Sequence, residues 1–446
     1  RRLDLPERLA SRPDAIILVR TLHYSAYTYL LVSSALNSIN SELEEMGEIQ
    51  GAGKAMILRK ITLPLVLPAI LSAVILTFSK AIGTFGTINY LGSPVQYYTL
   101  SSQLYMNINS RDTQTGFAMA ILMIIIASIA VFVNQKLIGS RKSYATIGGK
   151  GGRSTLIGLG KVGRPVITAA LFVFFAVGII MPIVILVMES FMLKEGIYSL
   201  DNFTLHYWIG ESNPQIMEGL PGIFKNDEFI NSLFNSLRLT LVNGVFGTIF
   251  GQLLGYITAK GRGRLHGKLV EQLVFIPYLI PSVAFGGIYL SMFSQPQQIF
   301  GVTLVPALYG TFALLTLVSV VKHLPFAARA GTSNMLQISG ELEEAATIEG
   351  AGFFRRFVKI VFPLSKGGFI SGFMLIFVSI MKELDLIILI MTPTTSTLPY
   401  LAFRYQNGNS PQASDCVAIV MFSIVFLVYA IANLSGKADL AKSMAG

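Results

Sequence analysis

Apolar residues gather into nine long blocks along this chain, at approximately 15–37, 63–87, 116–135, 166–191, 232–259, 269–294, 302–324, 362–388 and 415–434. About 20 such residues in a helix cross the hydrocarbon layer of a bilayer. Lipid offers no partner to an open backbone amide, so each block predicts a membrane-spanning helix. Within 232–259, Gly247, Gly251 and Gly255 recur at every fourth position. That spacing puts them on one helical face and predicts a surface where two helices approach closely.

The polar stretches between blocks differ in charge. Segment 136–164 carries Lys136, Arg141, Lys142, Lys150, Arg153, Lys161 and Arg164 without an acid, and 260–268 carries Lys260, Arg262, Arg264 and Lys268, again without one. Segment 192–231 is acidic, with Glu195, Asp201, Glu211, Glu218, Asp227 and Glu228 against Lys194 and Lys225. Basic loops stay on the cytoplasmic side. Alternating the spans from there places 38–62, 325–361 and the C-terminus in the cytoplasm. The N-terminal arginines Arg1, Arg2, Arg8 and Arg12 are the exception, partly balanced by Asp4, Glu7 and Asp14.

Composition agrees with a membrane protein: of 446 residues 52% are hydrophobic and 13% charged, about half the charged share of a soluble domain. The net charge of +10 reads as cytoplasmic loops, not as a nucleic-acid surface. Cys416 is the only cysteine, which excludes a disulfide framework. Gly158-Leu159-Gly160-Lys161-Val162-Gly163 matches a dinucleotide fingerprint, but a span follows where a βαβ unit is required. No Gly-Lys pair is followed by Ser or Thr, so nucleotide chemistry is expected on another polypeptide.

One feature repeats. The 25 residues from Ser41 align without a gap on those from Gly340, at a constant offset of 299 positions. Glu42, Leu43, Glu44, Glu45, Ile49, Gly51, Ala52, Gly53, Lys60, Ile61, Pro64 and Leu65 recur as Glu341, Leu342, Glu343, Glu344, Ile348, Gly350, Ala351, Gly352, Lys359, Ile360, Pro363 and Leu364. Each copy predicts a short helix with early acids at its positive end, a glycine at positive φ to stop it, and a basic approach to the next span. Ser41-x-x-Glu44 reads as a capping box. Two matched loops imply a site used twice, and duplication within a transporter chain is common.

Glu344-Ala345-Ala346-x-x-x-Gly350 with Ile360-x-x-Pro363 resembles the EAA loop of binding-protein-dependent ABC importer permeases. Glu45 with Gly51, Ile61 and Pro64 is the same loop, with Met46 and Gly47 in place of the alanines, which predicts unequal coupling by the two copies. The resemblance implies an all-α polytopic membrane protein with the type I ABC importer transmembrane fold, two homologous halves in one chain. It implies a bacterial inner-membrane location and partnership with two cytoplasmic ABC ATPase subunits and an extracytoplasmic solute-binding protein. The chain itself would be no enzyme and bind no cofactor, ATP and Mg belonging to the partners. Glu44, Glu45, Gly51, Gly53, Glu343, Glu344, Ala345, Ala346, Gly350 and Gly352 would couple the spans to the ATPases. Phe85-Gly86-Thr87, Leu91-Gly92 and Lys382-Glu383-Leu384 resemble the fused ferric-iron permeases; thiamine, 2-aminoethylphosphonate, sulfate and polyamine permeases share much of the pattern. Six spans per half are then expected. Residues 1–138 would be the end of a first half lacking about three spans, 139–165 a basic linker and 166–446 the second half.

Lys382, Glu383 and Asp385, near the outer end of a span, are candidates for lining the translocation path, for contacting the binding protein or for snorkelling to water, and Lys80 joins them. Tyr24, Tyr27, Tyr29, Tyr97, Tyr98 and Tyr105 read as interfacial belts, with ferric phenolate ligation as the alternative; the metal donors are left open. His323 beside Lys322 marks the cytoplasmic edge of its span, and Trp208 packs in the acidic outer loop or meets the binding protein. An ion-coupled secondary transporter is the rival reading; it expects charge at mid-bilayer, where the blocks are nearly charge-free. A membrane-embedded enzyme is disfavoured, since no nucleophile and base or metal cluster is visible.

Overall fold

The computed structural model describes residues 13–37, 39, 41–139, 159–336, 338 and 340–434. The N-terminal arginines, most of the basic linker with Gly158, and the C-terminal Lys437 and Lys442 lie outside them. Helices α1 (Pro13–Asn37), α2 (Ser41–Ile49), α3 (Lys54–Ile82), α4 (Gly86–Gly92), α5 (Leu100–Asn109) and α6 (Thr113–Gly139) form the first part. Then come α7 (Gly160–Glu189), α8 (Asp227–Lys260), α9 (Leu265–Leu279), α10 (Ser282–Phe293) and a hairpin of β1 (Gln297–Ile299) and β2 (Val302–Val305). The last part is α11 (Phe312–Met335), α12 (Gly340–Ile348), α13 (Phe353–Leu364), α14 (Lys366–Met381), α15 (Leu398–Asn407) and α16 (Pro411–Leu434).

Seven described helices are long and apolar enough to span a membrane, and the pairs α9–α10 and α13–α14, bent by 98° and 77°, would each supply one more. Each falls on one of the nine blocks. The clearest misreading is 302–324: its first ten residues are hairpin and turn, and the helix runs on to Met335. Pro325 hid this continuation. A proline inside a helix removes one backbone bond, which membrane helices tolerate. The break between α9 and α10 falls at Ile280-Pro281, both in extended geometry.

The repeat extends far beyond the loops. At the same offset, α1 overlays α11, α2 overlays α12, α5 matches α15 within one residue, and α6 starts within one residue of α16. Both α3 and its counterpart contain a π turn, at Leu58–Thr62 and Phe357–Val361, and α3 and α14 end at equivalent residues, Ile82 and Met381. A π turn inserts one residue into the helical ladder, so its recurrence in register marks an inherited bend.

The glycine stripe of α8 is a close-packing surface. A Cβ on Gly251 would lie 2.3 Å from the Ala327 Cβ, and one on Gly255 2.5 Å from the Thr332 amide of α11. Backbone cannot retreat as a flexible side chain can, so Gly251→Val should lower stability by about 3 kcal/mol. The check is the melting temperature of the detergent-solubilised protein; an unchanged value contradicts this packing. The same approach brings α8 against α14, where Gly244 and Gly247 face Phe373 and Ile376.

The two repeats share a core. Phe85, Leu104, Ala120 and Met123 pack with Val283, Ala284, Ile388, Leu389 and Phe403. Phe85 lies 4.3 Å from Tyr105 and 5.4 Å from Phe403 between ring centres. Outside this core, Trp208 stacks between Phe191 and Phe224 at 5.7 Å from each, so it packs within its own loop.

Candidate functional site

Two places in the fold gather the residues singled out from the sequence: the paired loops and a cavity between the repeats. The loops are built alike. In the first, the Gly51 amide donates to Glu48 O and the Ala52 amide to Gly47 O; in the second, Gly350 donates to Thr347 O and Ala351 to Ala346 O. These are the two bonds of a Schellman stop, and Gly51 and Gly350 hold φ of 82° and 78°. Gly53 and Gly352 follow in extended geometry, each immediately before the next helix.

Each short helix has an inner and an outer side. Glu343 is buried and accepts from the Tyr256 hydroxyl at 2.6 Å, with Lys260 Nζ 2.6 Å away. Its equivalent Glu44 is half-buried and accepts from Thr62 Oγ1 at 2.6 Å. Glu45, Glu344 and Ala345 are exposed, and Ala346 is half-buried. Gly47 has a packing reason: a Cβ there would lie 3.0 Å from Ile61 Cδ1 and 3.3 Å from Ile57 Cγ1. At the far end Ile49 is 85% exposed and Ile348 86% exposed, with Leu43, Met46 and Leu342 also open. Among the described residues those isoleucines have no packing role.

The cavity, about 330 Å³, is lined from both repeats: Arg20, His23 and Tyr24 of α1, Lys80 and Thr84 of the first repeat, Lys322 and His323 of α11, and Lys382, Glu383 and Asp385 after α14. All four residues expected to line a path, Lys80, Lys382, Glu383 and Asp385, therefore meet in one place. Lys80 lies two residues before the end of α3 and Lys382 directly follows α14, so the cluster forms where two span-length helices end. Lys322 and His323 are buried halfway along α11, so they do not mark a cytoplasmic edge, and the middle of the bundle is not charge-free. Tyr24 likewise belongs to this cluster and not to an interfacial belt.

Sequence reasoning missed Arg20, His23, Lys322 and His323 as members. The repeat offset contained the signal: His23 is equivalent to Lys322, Tyr24 to His323, Thr84 to Glu383 and Gly86 to Asp385. Contacts obey the same register. Tyr24 Oη lies 3.2 Å from Thr84 Oγ1, and His323 Nε2 lies 3.5 Å from Glu383 Oε2. The Gly86 amide donates to Asp385 Oδ1 at 3.0 Å, a bond between equivalent positions that places the cavity on the pseudo-two-fold axis. Arg20 donates to Tyr24 Oη at 2.6 Å and also to Thr84, while Lys322 Nζ donates to Pro277 O at 2.9 Å and to Ile280 O at the α9–α10 break. Lys80 Nζ sits 5.0, 5.3 and 5.4 Å from the ring centres of Tyr27, Tyr278 and Phe326.

Residues 13–144 and 251–438 match the family described as binding-protein-dependent transport system inner membrane component. The chain belongs to this family. The two matched stretches take in both copies of the loop, as expected of a permease with two homologous halves. Its relatives include the ferric transport system permease protein FbpB of Actinobacillus pleuropneumoniae, 22% identical over 441 residues, covering 97% of this chain and 60% of that protein. The sulfate transport system permease protein CysT of Synechocystis sp. is 26% identical over 212 residues, covering 46% and 71%. The chain thus spans about 60% of the length of its ferric permease relative. In a solved structure of a bacterial ABC transporter importing the acidic polysaccharide alginate, a chain aligns at TM-score 0.48 and 16% identity, over 60% of this chain and 94% of that one.

Proposed function

We propose that this chain is the permease of an ATP-driven importer and that its cargo is ferric iron, delivered by an external solute-binding protein. The observation that carries the reading is the duplicated loop, which offers a nearly bare isoleucine at the same position of each copy. An exposed apolar residue at the end of a rigid helix is suited to a pocket on a partner, and two equivalent ones suit a partner used twice. In this reading Glu44, Glu45, Gly51, Gly53, Glu343, Glu344, Ala345, Ala346, Gly350 and Gly352 shape the two faces that dock on a pair of cytoplasmic ATPases. ATP and Mg are bound by those subunits. Closure of the ATPases moves the loops together and opens the cavity between the repeats to the other side.

Family membership supports the dependence on a binding protein, and the ferric permease relative aligns over nearly the whole chain. The C-terminus and both loops are assigned to the cytoplasm by their basic surroundings. Buried charge halfway along α11 is what the rival, an ion-coupled transporter, was expected to have. The paired loops are what that rival does not account for.

The test is uptake by the complete permease, its ATPases and its binding protein reconstituted in liposomes. ATP-dependent accumulation of radioactive iron, lost when the binding protein is omitted, is the expected result. Uptake that follows an imposed ion gradient and ignores ATP would overturn it.

A further inference from the structure

The cavity on the pseudo-two-fold axis has a charge imbalance that bears on what passes through it. Four cations line it, Arg20, Lys80, Lys322 and Lys382, against two carboxylates, Glu383 and Asp385. Among the described residues none of the four cations has a carboxylate within ion-pairing distance; the only such pair in the lining is His323 with Glu383. Counted by formal charge and leaving the histidines aside, the lining carries two positive charges in excess.

The bonding pattern points the same way. Both carboxylates are already engaged: Glu383 accepts from the Leu386 amide at 2.9 Å and faces His323, and Asp385 accepts from the Gly86 amide at 3.0 Å. Arg20 and Lys322 are held by neutral oxygens, which keep the cations in place without cancelling their charge. Among the described residues the Lys80 ammonium is surrounded by aromatic faces, and the Lys382 ammonium makes no hydrogen bond. The donors left over are cationic, and the carboxylate acceptors are committed elsewhere. α10 also starts at the cavity wall, at Ser282, without a side-chain cap, which adds the positive end of a helix dipole. A charged residue halfway through a bilayer costs about 3 kcal/mol, so an uncompensated group of them calls for a counter-charge.

We infer that this cavity binds the cargo as a multivalent oxygen anion, either a free oxyanion or ferric iron enclosed by oxyanion ligands, and that bare ferric ion is repelled from it. The inference rests on the import reading above but not on its choice of iron, and it sets the charge class of the cargo. A cavity of this size has room for about ten water volumes, which suits a hydrated or chelated anion. Lys80 and Lys382 supply the contacts that meet the anion directly. Arg20 and Lys322 set the potential around it.

Two experiments separate this inference from the reading it rests on. In the first, the detergent-solubilised full complex without ATP is titrated with radioactive molybdate as a tetrahedral oxyanion, and separately with ferric citrate. Saturable binding of either probe is expected, weakened at least tenfold by Lys382→Gln and by Lys80→Gln and retained by Lys382→Arg. The arginine variant shows that charge, not folding, is read. No saturable binding of either probe, or binding indifferent to both glutamine substitutions, overturns the anion site whether or not the protein is an importer. In the second, liposomes carrying the complex are supplied with iron and citrate bearing different radiolabels. Co-entry in a fixed ratio identifies a ferric chelate, and ATP-driven molybdate entry without iron identifies a free oxyanion. Entry of iron with no accompanying anion overturns the inference and leaves the import reading standing.

Discussion

Replacing Ile49 and Ile348 together with aspartate is expected to abolish ATP-driven uptake and to strip the ATPase subunits from the purified complex. Each side chain is open on the free permease, at 85% and 86% exposure, so neither substitution disturbs internal packing. Burying an isoleucine in a partner's pocket contributes roughly 2 kcal/mol. An aspartate there forfeits that term and adds the cost of desolvating a charge. Two sites together then lose at least about 4 kcal/mol, close to a thousandfold in affinity. Single substitutions should each lose ten- to hundredfold. The measurement is ATPase co-purification alongside uptake, with the melting temperature of the permease as a control for folding. Unchanged co-purification in the double variant would show that the loops do not carry the docking surface. Equal losses from the two single variants would argue against unequal coupling. The first loop presents Leu43, Met46 and Ile49, and its Gly47 answers to the close approach of Ile57 and Ile61.

Membrane spans and the repeat were legible in the sequence because each is a pattern along the chain. Lipid forces apolar runs of a set length, and duplication leaves residues in register. The Schellman stops at Gly51 and Gly350 were legible for the same reason, since a left-handed backbone position favours glycine. Two kinds of feature were not. A proline within an apolar run fits either a span end or a tolerated break, so the true length of α11 around Pro325 depended on what packs beside it. The cavity was hidden because its members lie far apart in sequence and differ between the repeats: His23 against Lys322, Tyr24 against His323, Thr84 against Glu383. Only position recurs, not chemistry. Comparing the equivalents of Glu383 would have found Thr84, and through it Tyr24 and Arg20.

Glu343→Ala should uncouple the second loop more completely than any change at its equivalent in the first. The Glu343 carboxylate joins the short helix α12 to the end of α8 through Tyr256 and Lys260, both at 2.6 Å. A hydrogen bond to a buried charged group is worth about 2 kcal/mol, and Lys260 adds less because it is more than a third exposed. In the first loop Glu44 accepts from the Thr62 hydroxyl, so Thr62→Val should cost about 1 kcal/mol and leave uptake within a few-fold of normal. The Glu343 contact matters because of what α8 touches. Its glycine stripe is packed backbone to backbone on α11, and α11 carries Lys322 and His323 into the cavity. Glu343, α8 and α11 therefore form one contiguous rigid connection from loop to cavity. Loss of the carboxylate should leave the ATPases bound through Ile348 and still hydrolysing ATP, while uptake falls at least tenfold. Glu343→Gln keeps an acceptor for Tyr256 and should restore part of it. Measuring the ratio of ATP hydrolysed to substrate moved separates this from a docking defect, which lowers both together. A ratio unchanged from the parent protein would mean that movement reaches the cavity by another route. In that case the π turns of α3 and α13, in register in both repeats, are the remaining direct connection between the loops and the spans.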